Sequence, residues 1–413
     1  CSYNCTSRCL LKGHVRDGKL VAVEPGEMPG RPDYANACLR AMSFIERVQN
    51  EDLRVMYPMK RTGERGSGEF ERISWDQAMD EIAARMEESK EKYGPTACSF
   101  YSFTGNQSKL AMQSATRFAG CYGATTWDIE GIMGDHGASM GMKMVYGVSR
   151  GAHDTRDYEQ NSNMIVIWGR NLADTHTSEL RYIVRARERG AKIVYIDPRF
   201  SSTATIADQW IPIQAQTDPA LALGMMNVII NEDLYDHDFV EKWCYGFEQL
   251  AERVKEMPAE KAAEICGRDA NQIREAARVY AAAKPAQIAW GLAIDQKSNG
   301  VQAGHCIMAL EAITGNIDNP GGNALYRCAY LIEKRYGLGD EYIDPEVYAK
   351  KLIPDKSGIN ESNIVSCPDS DAILAAVETG EPYPIKVAWM QTTNPLACTG
   401  VDAKRTLAAP MNI

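Results

Sequence analysis

The chain has 413 residues, 45% hydrophobic and 24% charged, which allows two or three domains with their own cores. Its net charge of −10 disfavours nucleic acid and anionic membranes as main partners. No apolar run approaches the roughly 20 residues of a membrane span.

The first predicted feature is a cysteine cluster. Four of the twelve cysteines, Cys1, Cys5, Cys9 and Cys38, fall at the start, spaced C-x3-C-x3-C with 28 residues before the fourth. Disulfides suit small chains that lack a core, which this is not. Structural zinc favours two close pairs, and here three cysteines crowd together. A [4Fe–4S] cluster takes four thiolates and fits three from one loop with a distant fourth, so spacing favours it over the other two. The plain reading of the scattered cysteines, such as Cys98, Cys121 and Cys306, is small buried apolar side chains. Between Cys9 and Cys38, "GHVRDGKLVAVEPGE" predicts a hairpin turning at Asp17-Gly18.

From Arg61 onward the pattern is alternating α/β. "ISWDQAMDEIAARMEESKEKYG" predicts a helix with Ser74 as N-cap and Gly94 as stop. "ACSFYSF" predicts a strand and "NQSKLAMQSATRFAGCYG" a helix. "NMIVIWG", "TSELRYIVRARERGA" and "KIVYIDPR" form a strand–helix–strand run, hence a parallel crossover. Later, "AQIAWGLAIDQ" precedes the helix "VQAGHCIMALEAITG", and "PIKVAWMQTTNPL" gives a further strand and loop. Two such sets suggest two related nucleotide-binding halves. The absence of GxGxxG and Walker motifs gives NAD and ATP little support.

Ligands bind beyond the C-terminal ends of strands in open parallel sheets. Those ends are polar here: Gly169-Arg170-Asn171, then Asp197 and Arg199, then Thr217-Asp218 before a helix. Glycines there would let backbone N–H groups approach a phosphate, Arg199 could clamp one, and Asp218 could pair with a guanine edge. Ordinary turn and N-cap chemistry is the plainer reading of any one of these alone.

Taken together, "CSYNCTSRCLLKGHVRDGKLVAVEP", "ACLRA" and "VMYPMKRTGERGSGEFERISWDQAMDEIA" resemble the N-terminal region of the molybdopterin oxidoreductases, the dimethyl sulfoxide reductase family. The likeness runs in order from Cys1 to about Gln391. It implies a multidomain α/β fold: a small iron–sulfur β domain (1–60) and two α/β dinucleotide-binding-like domains. One of these is formed by 61–140 with 321–413, the other by 141–320. A C-terminal domain is expected beyond this chain. Both ends read as incomplete, since the chain opens on a cysteine and closes on "LAAPMNI".

The resemblance implies a [4Fe–4S] cluster on Cys1, Cys5, Cys9 and Cys38, and a bis-molybdopterin guanine dinucleotide carrying molybdenum or tungsten. One dinucleotide falls to Asn171, Asp197, Arg199, Thr217 and Asp218, with Asp218 facing guanine. The family has Pro-Gly before that Thr-Asp pair, where this chain has Ala215-Gln216. The second falls to Trp290, Gly291, Gly315, Asn316, Gly321, Gly322, Gln391, Thr393 and Asn394. Arg40 takes the family's cationic position between cluster and pterin; the family's usual Gly after it is Ala41. For the protein ligand to the metal, a count that takes Gly141 and Gly147 as the family's helix glycines lands on Gly134, which has no side chain to ligate. Asp135 is the neighbouring candidate, Ser139 its rival, and a site with no side-chain ligand stays open. His136 is a candidate donor to substrate, or a plain loop histidine.

The implied activity is that of a catalytic subunit, a terminal reductase removing oxygen or hydroxyl from a small oxidised substrate. The alternatives are a non-redox hydratase of the same fold, or a non-catalytic electron-transfer subunit. The hydratases use a cysteine ligand, which the window before Ser139 lacks. The implied partners are a multi-cluster iron–sulfur subunit and a membrane anchor. The expected location follows export by a twin-arginine signal outside this chain, with the cytoplasm as the alternative.

Overall fold

The computed structural model describes residues 9–30, 32, 35–102, 109–124, 126–128, 137–148, 151–152, 155–325, 344–348, 350, 370–394 and 402–409. They fall into two compact units. The first draws on Cys9–Met133 and Leu331–Ile413, the second on Gly134–Tyr330. No helix among the described residues is long and apolar enough to cross a membrane.

The strands of the first part of the chain are β1 (Leu11–Arg16), β2 (Lys19–Pro25), β3 (Met59–Arg61), β4 (Phe70–Arg72), β5 (Cys98–Ser102) and β6 (Thr126–Asp128). Next come β7 (Gly151–Ala152), β8 (Met164–Trp168), β9 (Lys192–Ile196), β10 (Gln209–Ile211), β11 (Ala286–Trp290), β12 (Ala324–Leu325) and β13 (Val387–Gln391).

In the first unit, β1 and β2 pair antiparallel around Asp17 (φ 51°) and Gly18 (φ 78°). Two successive positive φ values match the right-handed twist of a hairpin, which is why Asp-Gly serves there. The helix Trp75–Tyr93 starts where Ser74 Oγ accepts the Gln77 N–H at 3.1 Å and ends at Gly94. A parallel sheet of order β13-β5-β6 carries a core of Met86, Cys98, Phe100, Ala119 and Ala124. Trp389 stacks on Phe100 at 5.9 Å. Burial pushes the Cys98 thiol up to about 12, so it stays a small apolar group at neutral pH. Cys121 departs from the expected burial and is exposed, on the outer face of the Lys109–Tyr122 helix.

The second unit is built on a parallel sheet of order β10-β9-β8-β11. Every residue of β8, Met-Ile-Val-Ile-Trp, is buried, as a central parallel strand covered on both faces requires. The two later strands do not form one further half. β11 joins β8 in this sheet, whereas β13 joins β5 in the first unit. Both sequences carry the same buried-strand signal, and periodicity holds no information on which partner lies alongside.

β11 is an edge strand, and side-chain amides close it. Asn316 Oδ1 accepts the Ala286 N–H at 2.9 Å. Asn323 accepts from Ile288 N at 2.8 Å and donates to Ile288 O at 3.0 Å. Two asparagines thus stand in for a neighbouring strand.

Helix Gly137–Tyr146 packs on helix Gly300–Ile313 with almost no side-chain spacing. A Cβ on Gly304 would meet the Ala138 backbone at 2.5 Å, and one on Gly141 would strike the His305 backbone. Asp295 caps the first of these helices, accepting from Ala138 N at 2.6 Å and Ser139 N at 3.4 Å.

Inside this packing lies Glu311, 1% exposed. Tyr146 Oη lies 2.7 Å from Met308 O and 3.2 Å from Glu311 Oε2. Tyr146 is the donor to both oxygens. Burial drives the Glu311 carboxyl well above the usual range, and Tyr146 offsets this only in part. The folded state therefore holds a proton that the unfolded chain loses at about pH 4.3. Stability from this group is complete below that pH and declines as pH rises toward the folded value, by about 1.4 kcal/mol per unit. Glu311→Gln should remove that slope. Urea unfolding of both proteins at pH 5.5 and pH 8 checks this; parallel pH profiles would rule it out.

Candidate cofactor-binding site

The C-terminal edge of the second unit's sheet gathers Trp168, Ile196 and Trp290 in one register row. One residue further, the ladder continues. Gly169 N donates to Ile196 O at 2.8 Å, and Gly291 N to Trp168 O at 3.0 Å. The Gly169 N–H is therefore not itself open to a phosphate, and neither is that of Gly291: both donors are spent between strands. Gly169 is needed for its shape, since it adopts φ +60° with Ala293 and Ile294 against it.

Asp218 opens the helix Asp218–Asn231. Its Oδ1 accepts from Trp168 Nε1 at 2.8 Å, and its Oδ2 pairs with Lys297 Nζ. The Asp218 and Lys297 side chains are only 9% and 6% exposed. The helix N-terminus adds favourable potential for the carboxylate. Just before it, Gln216 takes φ +69°, in the left-handed region. This is the position of the family's glycine, so the chain keeps the loop shape with a residue that pays about 1–2 kcal/mol for it. Two neighbours hold the loop: Asn299 Nδ2 donates to Gln216 O at 2.8 Å, and Thr217 Oγ1 to Gln214 O at 2.7 Å.

The other first-dinucleotide residues are more internally committed. Asn171 donates to Asp174 at 2.5 Å and accepts from Thr203 Oγ1 at 2.7 Å. Asp197 Oδ1 accepts the Arg199 N–H at 2.8 Å, a turn within the loop. Arg199 itself is exposed at this edge. Arg170 is not a ligand clamp: it makes two bonds to Glu179, at 2.9 and 2.7 Å, and the pair is buried.

Within the second unit, the second-dinucleotide residues fall at two places. Trp290 and Gly291 join the edge just described. Gly315 and Asn316 lie beside Ala286, at the opposite end of β11 from Trp290, where Asn316 serves the strand edge. Gly321 and Gly322 belong to the same edge-closing turn, with Gln287 Nε2 donating to Gly322 O at 2.6 Å. Gln391, Thr393 and Asn394 belong to the first unit, at the C-terminal end of β13. There Gln391 Nε2 donates to Ala111 O at 3.5 Å, and Thr392 between them has φ 54°.

Among the cluster cysteines, Cys9 and Cys38 are half-buried in the first unit. Asn36 Nδ2 lies 4.0 Å from Cys9 Sγ, and Cys38 occupies the N-cap of helix Leu39–Met42. Arg40 sits half-buried in that helix, two residues on. Cys1, Cys5, Asp135 and His136 lie outside the described residues. Ser139 lies in the first turn of helix Gly137–Tyr146, under the Asp295 cap. No group of three or more metal-type ligands occurs among the described residues.

A guanine dinucleotide needs acceptors for its base edge and a cation for its phosphates; Asp218 and Arg199 are groups of those two kinds at this edge. Asp218 uses two of its four lone-pair sites, leaving two for a base. Asn299 Oδ1 is buried with no hydrogen-bond partner among the described residues, beside the same loop. Arg199 is the exposed cation. Lys297 and Trp168 went unnoticed in the sequence. Lys297 stands 79 residues from Asp218, and no local pattern links them.

The chain matches the molybdopterin oxidoreductase family over residues 54–407. It is 36% identical to acetylene hydratase of Syntrophotalea acetylenica over 76% of this chain and 43% of that protein. It is 33% identical to dimethyl sulfoxide reductase DmsA of Escherichia coli (strain K12) over 78% of this chain and 44% of that protein. The solved structure of acetylene hydratase from Pelobacter acetylenicus matches with a TM-score of 0.79 and 30% identity, over 98% of this chain and 58% of that one. The chain thus spans about half the length of the curated relatives it matches. These matches and the polar strand edge agree, and the chain belongs to the molybdopterin oxidoreductase family, whose members imply a molybdenum or tungsten bis-pterin cofactor.

Proposed function

We propose that this chain is part of the catalytic subunit of a molybdenum or tungsten bis-pterin reductase. It removes oxygen or hydroxyl from a small oxidised substrate, with electrons delivered through a [4Fe–4S] cluster. The observation that carries this reading is Asp218: a buried carboxylate with spare acceptor sites, at the C-terminal edge of a parallel sheet, where this family's resemblance expects a guanine contact. When bound, the cofactor supplies a metal that cycles by two electrons and exchanges an oxygen function. The chain's own residues bind and orient. Asp218 holds the base and Arg199 neutralises phosphate charge. The four thiolates of Cys1, Cys5, Cys9 and Cys38 hold the cluster. Arg40 favours added electron density beside it. Asp135 remains the proposed protein ligand to the metal. An iron–sulfur partner subunit, a membrane anchor and twin-arginine export complete the same reading.

A hydratase is the second reading, supported by the likeness to acetylene hydratase in sequence and structure. The two differ in electron balance. Reduction consumes two electrons and two protons and releases water; hydration adds water to a triple bond with no net electrons. An anaerobic screen with reduced viologen separates them. Oxidation of the dye by a sulfoxide, N-oxide, oxyanion or catechol is expected. Turnover of an alkyne with no dye consumed would overturn the reductase.

Two variants test the cofactor roles. Cys38→Ser should lower iron per chain and remove the broad absorption typical of such clusters; unchanged iron content would refute the cluster assignment. Asp218→Ala should reduce the guanine nucleotide released on acid denaturation. Loss of one charged hydrogen bond costs about 1.5–3 kcal/mol. Full occupancy in that variant would refute the base contact.

A further inference from the structure

We propose that Lys297 is a second base-reading residue: with Asp218 it selects guanine, its ammonium meeting O6 while the carboxylate meets N1–H and the 2-amino group. This rests on the reading of Asp218 as a base contact and adds the residue that sets its specificity. The argument is one of donors and acceptors. Lys297 has three N–H donors and uses one on Asp218, so two remain. Asp218 has acceptor sites left on both oxygens. The pair therefore presents donor, acceptor, acceptor. Guanine presents the complement: an acceptor at O6, then donors at N1 and the 2-amino group. Adenine would set its 6-amino donor against the ammonium and its N1 acceptor against the carboxylate.

The surroundings support a ligand role over a purely structural one. A buried ion pair is weak support for stability, because desolvation offsets the attraction. This pair nevertheless lies almost wholly out of solvent. The loop that carries Lys297 is fixed to the loop that carries Asp218, through Asn299 Nδ2 and Gln216 O at 2.8 Å. Asn299 Oδ1, on the same loop as Lys297, is buried and without a partner among the described residues, a further acceptor for a ligand.

The test is nucleotide binding to the full-length protein purified without its cofactor, read by titration calorimetry. GDP, IDP, 6-thio-GDP and ADP are the probes. IDP lacks the 2-amino group but keeps O6; 6-thio-GDP replaces O6 with sulfur, a weak acceptor. Wild type should bind GDP about tenfold more tightly than 6-thio-GDP, and ADP most weakly. Lys297→Met should weaken GDP and IDP alike, by about 10- to 100-fold, with little effect on 6-thio-GDP. Asp218→Asn should weaken GDP more than IDP. If Lys297→Met fails to fold, the wild-type comparison of GDP with 6-thio-GDP decides alone, and equal affinity overturns the proposal. Retained GDP affinity in Lys297→Met, with loss in Asp218→Asn, leaves Lys297 a counter-ion and overturns the proposal only. Retained GDP affinity in Asp218→Asn, or no GDP binding by wild type, overturns the base contact as well.

Discussion

A carboxylate held out of water organises the second unit. Removing Asp218 from solvent costs several kcal/mol unless its oxygens are satisfied. Three sources satisfy it, and each comes from a different part of the chain. The Trp168 indole arrives at the end of β8, Lys297 from the loop after β11, and the positive end of a helix from the residue's own segment. Meeting the demand of one charge therefore fixes the relative position of three loops at the sheet's C-terminal edge. The committed bonds of Arg170, Asn171 and Asp197 hold the rest of that edge. Few groups are left pointing outward, and those that are, such as Arg199, gain meaning from the fixed frame.

The elements legible in the sequence are those with local causes. Ser74 and Gly94 bound their helix because capping is a matter of three or four residues. Asp17-Gly18 turns its hairpin because the required φ values are local. The strand–helix–strand run from Met164 to Ile196 gave a parallel pair because the connecting helix leaves no shorter return. The partners of β11 and β13 were not legible in periodicity; only the resemblance, which joins 61–140 with 321–413 and sets 141–320 apart, groups each strand with its neighbour. Each is an apolar run of five residues, and its neighbour lies more than a hundred residues away. Cys121 reads as apolar in a helical pattern, yet falls on the solvent side.

The candidate site divides along the same line. The place of Asp218 before a helix is local and legible; its reading as a base contact comes from the resemblance, not from that pattern. The role of Asn316 was not legible, because the signal for a polar turn is the same whether it faces a ligand or closes an edge strand. The structure separates the two: the Asn316 amide reaches Ala286, at the far end of β11 from Trp290. Gly169 and Gly291 show the converse. The small size of Gly169 suggested an open N–H group, but a parallel ladder that runs one residue past the strand consumes both donors.

One short segment links the C-terminal edge of the second unit's sheet to the start of helix Gly137–Tyr146. Asp295 accepts from the first N–H groups of helix Gly137–Tyr146, and Lys297, two residues on, neutralises Asp218 at the start of helix Asp218–Asn231. Both helix starts are thereby referenced to the end of β11, itself locked in register to β8. The glycine contact between helices Gly137–Tyr146 and Gly300–Ile313 removes the remaining freedom, because backbones in direct contact cannot slide without a clash. A shift of segment 295–299 would move a helix start and a charged partner together. The physical consequence is that the Asp218–Lys297 pair and the helix start are not independently adjustable, and substitutions in this segment are expected to affect both.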